Sequence, residues 1–525
     1  MLSFGSLDWA IVVSYLVILT ATAIQSSARG TESARSYFLA GNSMPALLIA
    51  VSVLSSTQSA ATFLGGPDTG FRSDYTYLTS FAGSLVAAVI VAKVLLPRFY
   101  ALRATTVYEL LEQRFGSTAK RAAGAMYLLG RVFAAGARLY MAAIAVAMII
   151  FLRVDATTIT IASFILLVLG IVFTFVGGLK SVVWSDVVQV VIYVGAALLT
   201  LWFLLTKIPL DLPQIWQALD SPPTGESKLR LINTSLGLDQ PFSLLAIFTG
   251  VMLLNLGNFG MDQDTSQRLL ACKDSNEAAR SLILSVLIAV PVIWIFITIG
   301  QLLHIFYQRP DLMGATAETM KEFDGEKISV FMSFILSEMP AGLKGIIVVG
   351  VVAAAAINSG LNSMASVIVE DFYRPWQTKQ GRTELGEAHF VAMGQGTMVV
   401  CGCALFLMSI LCYFWQRATD MPLLEFALSV MTFAYAGLLG VYFTAVFTDR
   451  GNTTTVLLAL GIGFLTILAL QPYVAKSLGL SDFIPALAFP FQLCIGATIS
   501  TLICCAGRRQ SNVSTLEGGS TDAIH

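Results

Sequence analysis

The protein is 525 residues long, and 56% of its side chains are hydrophobic while only 12% are charged. Soluble domains carry about 25% charged residues, so this composition excludes an ordinary water-soluble protein. The 31 basic and 32 acidic side chains leave a formal charge of -1, which excludes a basic surface for binding nucleic acid. The partner that the composition indicates is a lipid bilayer.

Long apolar runs follow one another along the chain. A bilayer core about 30 Å thick needs roughly 20 apolar residues per helix. We therefore predict an all-α polytopic membrane protein, a single domain over residues 1–525 with about 13 transmembrane helices. The predicted spans are residues 7–25, 45–66, 75–97, 121–151, 157–176, 181–207, 242–261, 279–305, 343–370, 390–415, 424–447, 454–472 and 484–505. Because Met1–Asp8 contains no Lys or Arg, we interpret the first run as a permanent span and not as a cleaved signal peptide.

The placement of Lys and Arg predicts how the chain is oriented. The segment 98–120 is basic and is expected in the cytoplasm; it contains Arg98, Arg103, Arg114 and Lys120. Alternation from there assigns to the same side the basic residues of later loops, among them Arg268, Lys273 and Arg280. We predict a multi-pass protein of the plasma (cell inner) membrane, with the amino terminus outside and a short disordered cytoplasmic tail at 506–525. The sequence contains no His-Glu-x-x-His motif and no paired intramembrane carboxylates, so we do not expect an enzyme. No obligate protein partner is evident.

Two of the predicted spans are interrupted by polar and small residues. The second contains the polar run Leu54–Thr62 followed by Gly65-Gly66-Pro67, and the seventh contains Asn255–Gly260. A broken helix in lipid is tolerated where it lines a cavity. The two interruptions lie five spans apart, as in inverted five-helix repeats whose first helices are both discontinuous. The alternative is that the small residues mark close helix packing.

The repeat interpretation divides the chain into parts. It predicts a first repeat at 45–207 and a second, inverted repeat at 242–447. The span at 7–25 and the two spans within 454–505 lie outside the repeats.

Few ionisable side chains lie at predicted membrane depth, where each is costly unless it is paired or hydrated. They are Arg131, Arg138 and Asp186. One interpretation pairs Arg138 with Asp186. The other leaves Arg138 free to bind an anionic substrate, with Arg131 as second candidate, and Asp186 free to bind a cation.

Six local signatures, in order along the chain, resemble the solute:sodium symporter family. The likeness covers about residues 5–507. The signatures are Ser36–Gly41, Thr106–Gly116, Gly177–Asp186, Asp262–Arg268, Leu361–Ser363 with Glu370–Pro375, and Tyr435–Gly440. The resemblance implies sodium-driven alternating access in a fold of five-helix inverted repeats.

The resemblance also implies a sodium site shared by the second and ninth spans. Its carbonyl ligands would be those of Ser55, Gln58 and Val352. Two hydroxyl ligands of the family fall on Ala355 and Ala356, which carry no side-chain oxygen, so the site is partly degraded. The nearest replacement ligands for Na+ are Asp186, Asn358 and Ser359.

The second span is most similar to that of the sialic acid transporters in this family. Hydroxyls at a half-helix amino end and a guanidinium form a suitable site for a carboxylate. The predicted substrate residues are Thr57, Ser59, Thr62, Tyr77, Arg138, Asn255 and Asn258. For Tyr77, a place in an interfacial aromatic belt is the alternative.

The sequence therefore predicts a sodium-coupled symporter of a small organic solute, with a carboxylated sugar such as sialic acid preferred. The alternatives are a sodium-independent or proton-coupled transporter of a neutral sugar or polyol, in which Arg138 pairs with Asp186, and a transporter-like solute sensor.

Overall fold

The computed structural model describes residues 4–27, 33–175, 178–222, 225–314, 330–354, 357–382, 384–419, 421–477, 479 and 487–508. Within these ranges every regular element is a helix. This confirms the predicted all-α membrane fold with discontinuous helices.

The helices of the first half precede and follow the first predicted interruption along the chain. They are α1 (Ser6–Ser27), α2 (Ala34–Leu39), α3 (Ala46–Thr57), α4 (Ala60–Arg72), α5 (Thr76–Ala101), α6 (Glu109–Phe115), α7 (Ser117–Phe151), α8 (Ala156–Phe175), α9 (Gly178–Lys207) and α10 (Leu212–Asp220). The predicted span 45–66 is thus formed by α3 and α4 together.

The main helices of the second half contain and follow the second predicted interruption along the chain. They are α11 (Leu244–Gly260), α12 (Gln263–Leu270), α13 (Ser275–Gln308), α14 (Val330–Glu338), α15 (Leu343–Ala354), α16 (Ile357–Val367), α17 (Glu387–Thr419), α18 (Leu423–Phe447), α19 (Thr453–Ala469) and α20 (Phe489–Ala506). A π-helical turn at Ile368–Tyr373 continues α16 into a short helix at Arg374–Lys379.

Each of the thirteen predicted spans coincides with a helix or a helix pair, but the number of membrane crossings is not fixed by length and apolarity. Among the described residues, nine helices are long and apolar enough to cross a bilayer, and up to eleven if each strongly bent pair is one span. The apolar helical segments Ala156–Val172 and Thr453–Ala469 fall short of that length. A multi-pass membrane protein follows, and the count of thirteen stays a prediction.

The break in the second span lies at Gln58 and Ser59, inside the predicted polar run. Both residues have extended backbone, with ψ of 136° at Gln58 and φ of -144° at Ser59. Ser59 then caps α4: its side chain accepts from the Ala61 amide, and the Thr62 hydroxyl accepts from the Ser59 amide. The reciprocal capping box satisfies amides that the break would leave unpaired.

The break in the seventh span lies later than predicted. Asn255–Gly260 is helical, and the chain bends by 53° between α11 and α12, at Met261 and Asp262. Asn255 does not interrupt the helix because its side chain donates to the Val251 carbonyl one turn back. The acid Asp262 starts the new helix by accepting from the Asp264 amide.

A third bend, of 114°, separates α2 and its short extension from α3, and the sequence analysis did not predict it. Ala40, Gly41 and Asn42 all have left-handed backbone, with φ of 49°, 65° and 54°. The chain therefore reverses before α3 instead of entering the membrane directly.

Helices α4 and α13 are in backbone contact through two glycines. A Cβ atom on Gly70 would lie 2.2 Å from the Ile297 carbonyl oxygen, and one on Gly300 would lie 2.1 Å from the Pro67 carbonyl oxygen. Only residues without a Cβ permit this approach. The half-helix α4 is thereby fixed along α13.

Candidate functional site: a cavity at the break of α3 and α4

One cavity is lined by all seven predicted substrate residues. The α3–α4 break contributes Thr57, Ser59 and Thr62; α5 contributes Tyr77, α7 Arg138, and α11 Asn255 and Asn258. Apolar side chains, among them Phe81, Leu254 and Met431, complete much of the lining. A mostly apolar pocket with a few convergent polar groups is the usual form of a small-molecule site.

Arg138 is the single charged residue among the described residues that line this cavity. Its Nη1 donates to the Ser56 carbonyl oxygen at 2.6 Å, which holds the guanidinium against the end of α3. Among the described residues no carboxylate forms a salt bridge with Arg138. Its remaining N–H groups can serve an anionic ligand.

The alternative pairing of Arg138 with Asp186 is wrong. Asp186 instead pairs with Arg268, whose Nη2 lies 3.0 Å from Asp186 Oδ2. The sequence analysis placed Arg268 among cytoplasmic loop residues, yet its side chain is fully buried. The error arises because Arg268 follows the displaced break of the seventh span, so it belongs to α12 inside the protein.

The three hydroxyls at the break differ in what they offer a ligand. Thr57 Oγ1 donates to the Val53 and Leu54 carbonyl oxygens at 3.0 and 3.1 Å, so its proton is already used. Ser59 and Thr62 accept from backbone amides, which leaves their O–H protons available among the described contacts. A hydroxyl has one donor and two acceptor positions. Ser59 and Thr62 can therefore donate to a carboxylate, whereas Thr57 can only accept.

A buried ion network adjoins the cavity. Arg268 Nη1 lies 2.8 Å from Asp264 Oδ1, and Arg131 contacts both Asp264 and, at 3.6 Å, Asp262. Arg131 is thus held by acids and is not among the residues that line the cavity. Tyr435 on α18 donates to Asp262 at 2.8 Å and approaches Asn258 Oδ1 at 3.5 Å. The network therefore reaches the cavity wall.

Sequence reasoning missed that the charged side chains of Asp262, Asp264 and Arg268 are buried. The available signal was the spacing of Asp264 and Arg268, four residues apart on one helical face. It also missed the serines Ser80, Ser84 and Ser285, which line the cavity from α5 and α13. Ser80 and Ser84 again lie four residues apart, facing the same way from an apolar helix.

The predicted cation ligands fall into two groups. Ser55 and Gln58 lie at the end of α3. Apart from hydrogen bonds within the helix, no backbone amide of the described residues donates to the carbonyl of either one. Asp186 accepts from the hydroxyls of Ser52 and Ser55 as well as from Arg268, so its oxygens are engaged. Carbonyls freed at an unwound helix are the groups that coordinate Na+ in transporters of this architecture.

The other predicted cation ligands lie on α15 and α16. Val352 and Asn358 are among the described residues, and Ser359 Oγ donates to Asp264 Oδ2 at 3.3 Å. Ala355 and Ala356 lie outside the described residues. In the described part of the chain, no cluster of three or more His, Cys, Asp or Glu side chains is placed to hold a metal ion.

The model of the sodium:solute symporter family matches residues 37–463 of the chain. The sodium/sialic acid symporter SiaT of Proteus mirabilis is 24% identical over 474 residues, which cover 89% of this chain and 90% of that protein. The sodium/sialic acid symporter NanT of Aliivibrio fischeri is 25% identical and covers 89% and 88%. The human sodium/iodide cotransporter is 26% identical and covers 90% and 70%.

Two solved structures share the fold. A Na+-coupled sialic acid symporter, in a substrate-bound outward-open state, matches with a TM-score of 0.78 at 21% identity, covering 96% of this chain and 98% of that one. Mhp1, a nucleobase-cation-symport-1 family transporter in a closed conformation, matches with a TM-score of 0.54 at 15% identity, covering 90% and 94%.

Proposed function

We propose that this chain, which belongs to the sodium:solute symporter family, moves a small carboxylated sugar across the membrane together with sodium, by alternating access. Sialic acid is the best candidate substrate. Membership in a family of transporters also supports the prediction that the chain is not an enzyme.

The observation that carries the substrate class is the state of Arg138. A guanidinium in a mostly apolar cavity at membrane depth is costly unless an anion joins it. The acids nearest in the fold, Asp262 and Asp264, are engaged by Arg131 and Arg268. A substrate carboxylate supplies the missing charge, and a guanidinium can bind it through two parallel hydrogen bonds.

The groups around Arg138 suit the same ligand. Ser59 and Thr62 keep O–H donors for the carboxylate, and the amides of Asn255 and Asn258 can bind hydroxyl or amide groups. The two bacterial relatives named as sialic acid symporters support this assignment.

In this mechanism sodium is a co-transported substrate. We propose that the carbonyls of Ser55 and Gln58 provide the α3 half of its site, with Val352, Asn358, Ser359 and Asp186 as further candidates. The same helix break then exposes carbonyl oxygens to sodium and hydroxyl donors to the carboxylate.

The test is uptake of radiolabelled N-acetylneuraminate into proteoliposomes under an inward sodium gradient, with potassium as the reference ion. Arg138→Ala removes the charge-assisted pair and should lower uptake about 100-fold, while Arg138→Lys keeps the charge without the planar fork and should lower it about 10-fold.

Arg153→Ala is the matched control, because Arg153 pairs with Asp155 in an exposed loop. It should transport like the unmodified protein. Unchanged uptake in Arg138→Ala would refute the carboxylate anchor, and equal uptake in sodium and potassium would refute sodium coupling.

A further inference from the structure

Two serines in the cavity can only accept hydrogen bonds from a ligand. Ser84 Oγ on α5 donates to the Ser80 carbonyl oxygen at 3.2 Å. Ser285 Oγ on α13 donates to the Leu282 carbonyl oxygen at 2.7 Å. Because each hydroxyl has a single proton, both present lone pairs alone to the cavity they line.

Gln58 adds a third acceptor. The residue lines the same cavity, is 7% exposed, and its Oε1 has no hydrogen-bond partner among the described residues. A buried acceptor without a partner is unfavourable, and native structures rarely leave one unsatisfied. A ligand donor that reached Oε1 from the cavity would satisfy it.

The charge of the lining decides which donors fit. The described lining residues include Arg138 and no Asp or Glu. A ligand ammonium would find no counter-charge here and would be repelled by the guanidinium. Hydroxyl and amide N–H groups are neutral donors, so they match acceptors that carry no charge.

We propose that Gln58, Ser84 and Ser285 form a subsite that reads neutral hydrogen-bond donors, hydroxyl or amide N–H, on a carboxylated solute. The subsite selects polyhydroxylated acids over amino acids and over carboxylates without hydroxyls. This inference rests on the proposed function, in which Arg138 holds the carboxylate. Gln58 then has two roles: its backbone carbonyl is a candidate sodium ligand, and its side chain binds the solute.

The test compares two carboxylates by calorimetric titration of the full-length protein in lipid nanodiscs with sodium. N-acetylneuraminate carries hydroxyl and amide donors, whereas cyclohexanecarboxylate has a six-membered ring and a carboxylate but no such donors. Ser285→Ala and Gln58→Leu should each weaken N-acetylneuraminate binding about 5- to 10-fold and change cyclohexanecarboxylate binding less than about 2-fold.

Ser281→Ala is the matched control. Ser281 lies one turn before Ser285 on α13, is fully buried and donates to the Glu277 carbonyl oxygen at 2.8 Å, but it does not line the cavity. It should leave the affinity of both carboxylates unchanged.

Equal weakening of both carboxylates by Ser285→Ala and Gln58→Leu, or no weakening of N-acetylneuraminate, would overturn the subsite. Two further ligands test the selectivity of the unmodified protein: gluconate, a polyhydroxylated acid, and glutamine, an amino acid. Tighter binding of glutamine or cyclohexanecarboxylate than of N-acetylneuraminate and gluconate would overturn the subsite as well. Arg138→Ala separates the two proposals. If it leaves both carboxylates bound, the proposed anchor fails, while a selective loss in Ser285→Ala still supports the subsite.

Discussion

Thr57 and Thr62 carry the same hydroxyl yet present opposite polarity to a ligand. The Thr57 hydroxyl donates its hydrogen bond to backbone carbonyls near the end of α3. The Thr62 hydroxyl accepts from the Ser59 amide, so its own O–H remains available as a donor. The difference follows from their positions on either side of the break. A threonine in the last turn of a helix donates to a carbonyl oxygen one turn earlier, whereas one at the third position of a helix accepts from the amide of the N-cap residue.

Replacement of each threonine by the isosteric valine should separate these states. Thr62→Val removes a donor from the carboxylate site and should weaken binding of cyclohexanecarboxylate about 5- to 10-fold. Thr57→Val should change that affinity less than about 2-fold, because Thr57 has no proton to offer. Calorimetric titration measures both, and melting temperatures control for the lost capping contact of Thr62. Equal weakening by the two variants would contradict the assignment of donors.

At the residue scale the sequence predicted which side chains meet in the cavity, but not whether each hydroxyl donates or accepts a hydrogen bond. Scarcity of charge singled out Arg138, and the polar run singled out Thr57, Ser59 and Thr62. The direction of each hydroxyl depends on backbone geometry at Gln58 and Ser59, which residue types alone do not specify. The partner of Asp186 was missed because Arg268 is brought to it by a bend whose position was predicted too early.

At the scale of helices, the ion network joins six elements among the described residues. It links Ser52 on α3, Asp186 on α9, Asp264 and Arg268 on α12, Arg131 on α7 and Ser359 on α16, and Asp262 at the second break connects Arg131 to Tyr435 on α18. Charges buried this deeply are stable only while every partner is present. The network therefore fixes both broken spans against the helices around them.

Asp264→Asn should destabilise the protein strongly, because it removes the acid shared by Arg131 and Arg268 and leaves their charges poorly compensated. The expected loss is about 3–5 kcal/mol in the free energy of unfolding. The measurement is unfolding in mixed micelles with increasing dodecyl sulfate. Asp449→Asn is the control, since Asp449 is 89% exposed and lies 3.7 Å from Arg114; it should unfold like the unmodified protein. Equal stability of the two variants would show that the network contributes little.

The element scale also shows where sequence patterns stop. Six polar residues in nine predicted the break of the second span, since no lipid-facing helix carries them. The glycines and asparagines of Asn255–Gly260 predicted a break that lies one to two residues later. Short polar side chains can bond within their own helix, as Asn255 does, so their presence does not locate an interruption.

At the scale of the whole molecule, coupling requires that one movement respond to both sodium and solute. The break contains Gln58, whose carbonyl is a candidate sodium ligand, and both Gln58 and Ser59 line the solute cavity. The apolar runs predicted this architecture in outline. They did not establish the number of crossings, because length and composition are ambiguous for bent pairs and for short helices such as α19. The repeat boundaries and the orientation of the termini stay predictions.

The ninth predicted span offers a test of coupling from its sequence. Ala355→Ser combined with Ala356→Ser restores two hydroxyl oxygens where the family places them. The double variant should lower the sodium concentration for half-maximal uptake by about 10-fold, which corresponds to 1.4 kcal/mol of added ion binding. Ala353→Ser with Ala354→Ser makes the same change two residues earlier and should not lower it. An unchanged sodium dependence in the first variant would place the cation elsewhere.

The backbone contact between Gly70 and Gly300 has a mechanical consequence. Since main chain packs against main chain, no layer of side chains separates α4 from α13, and we expect the two helices to resist rotation and sliding relative to each other. We expect the two helices to swing as a single lever whose flexible joint is the extended pair Gln58–Ser59. Such a movement would change the distance between Ser59, which caps α4, and Arg138, which is hydrogen-bonded to the Ser56 carbonyl at the end of α3.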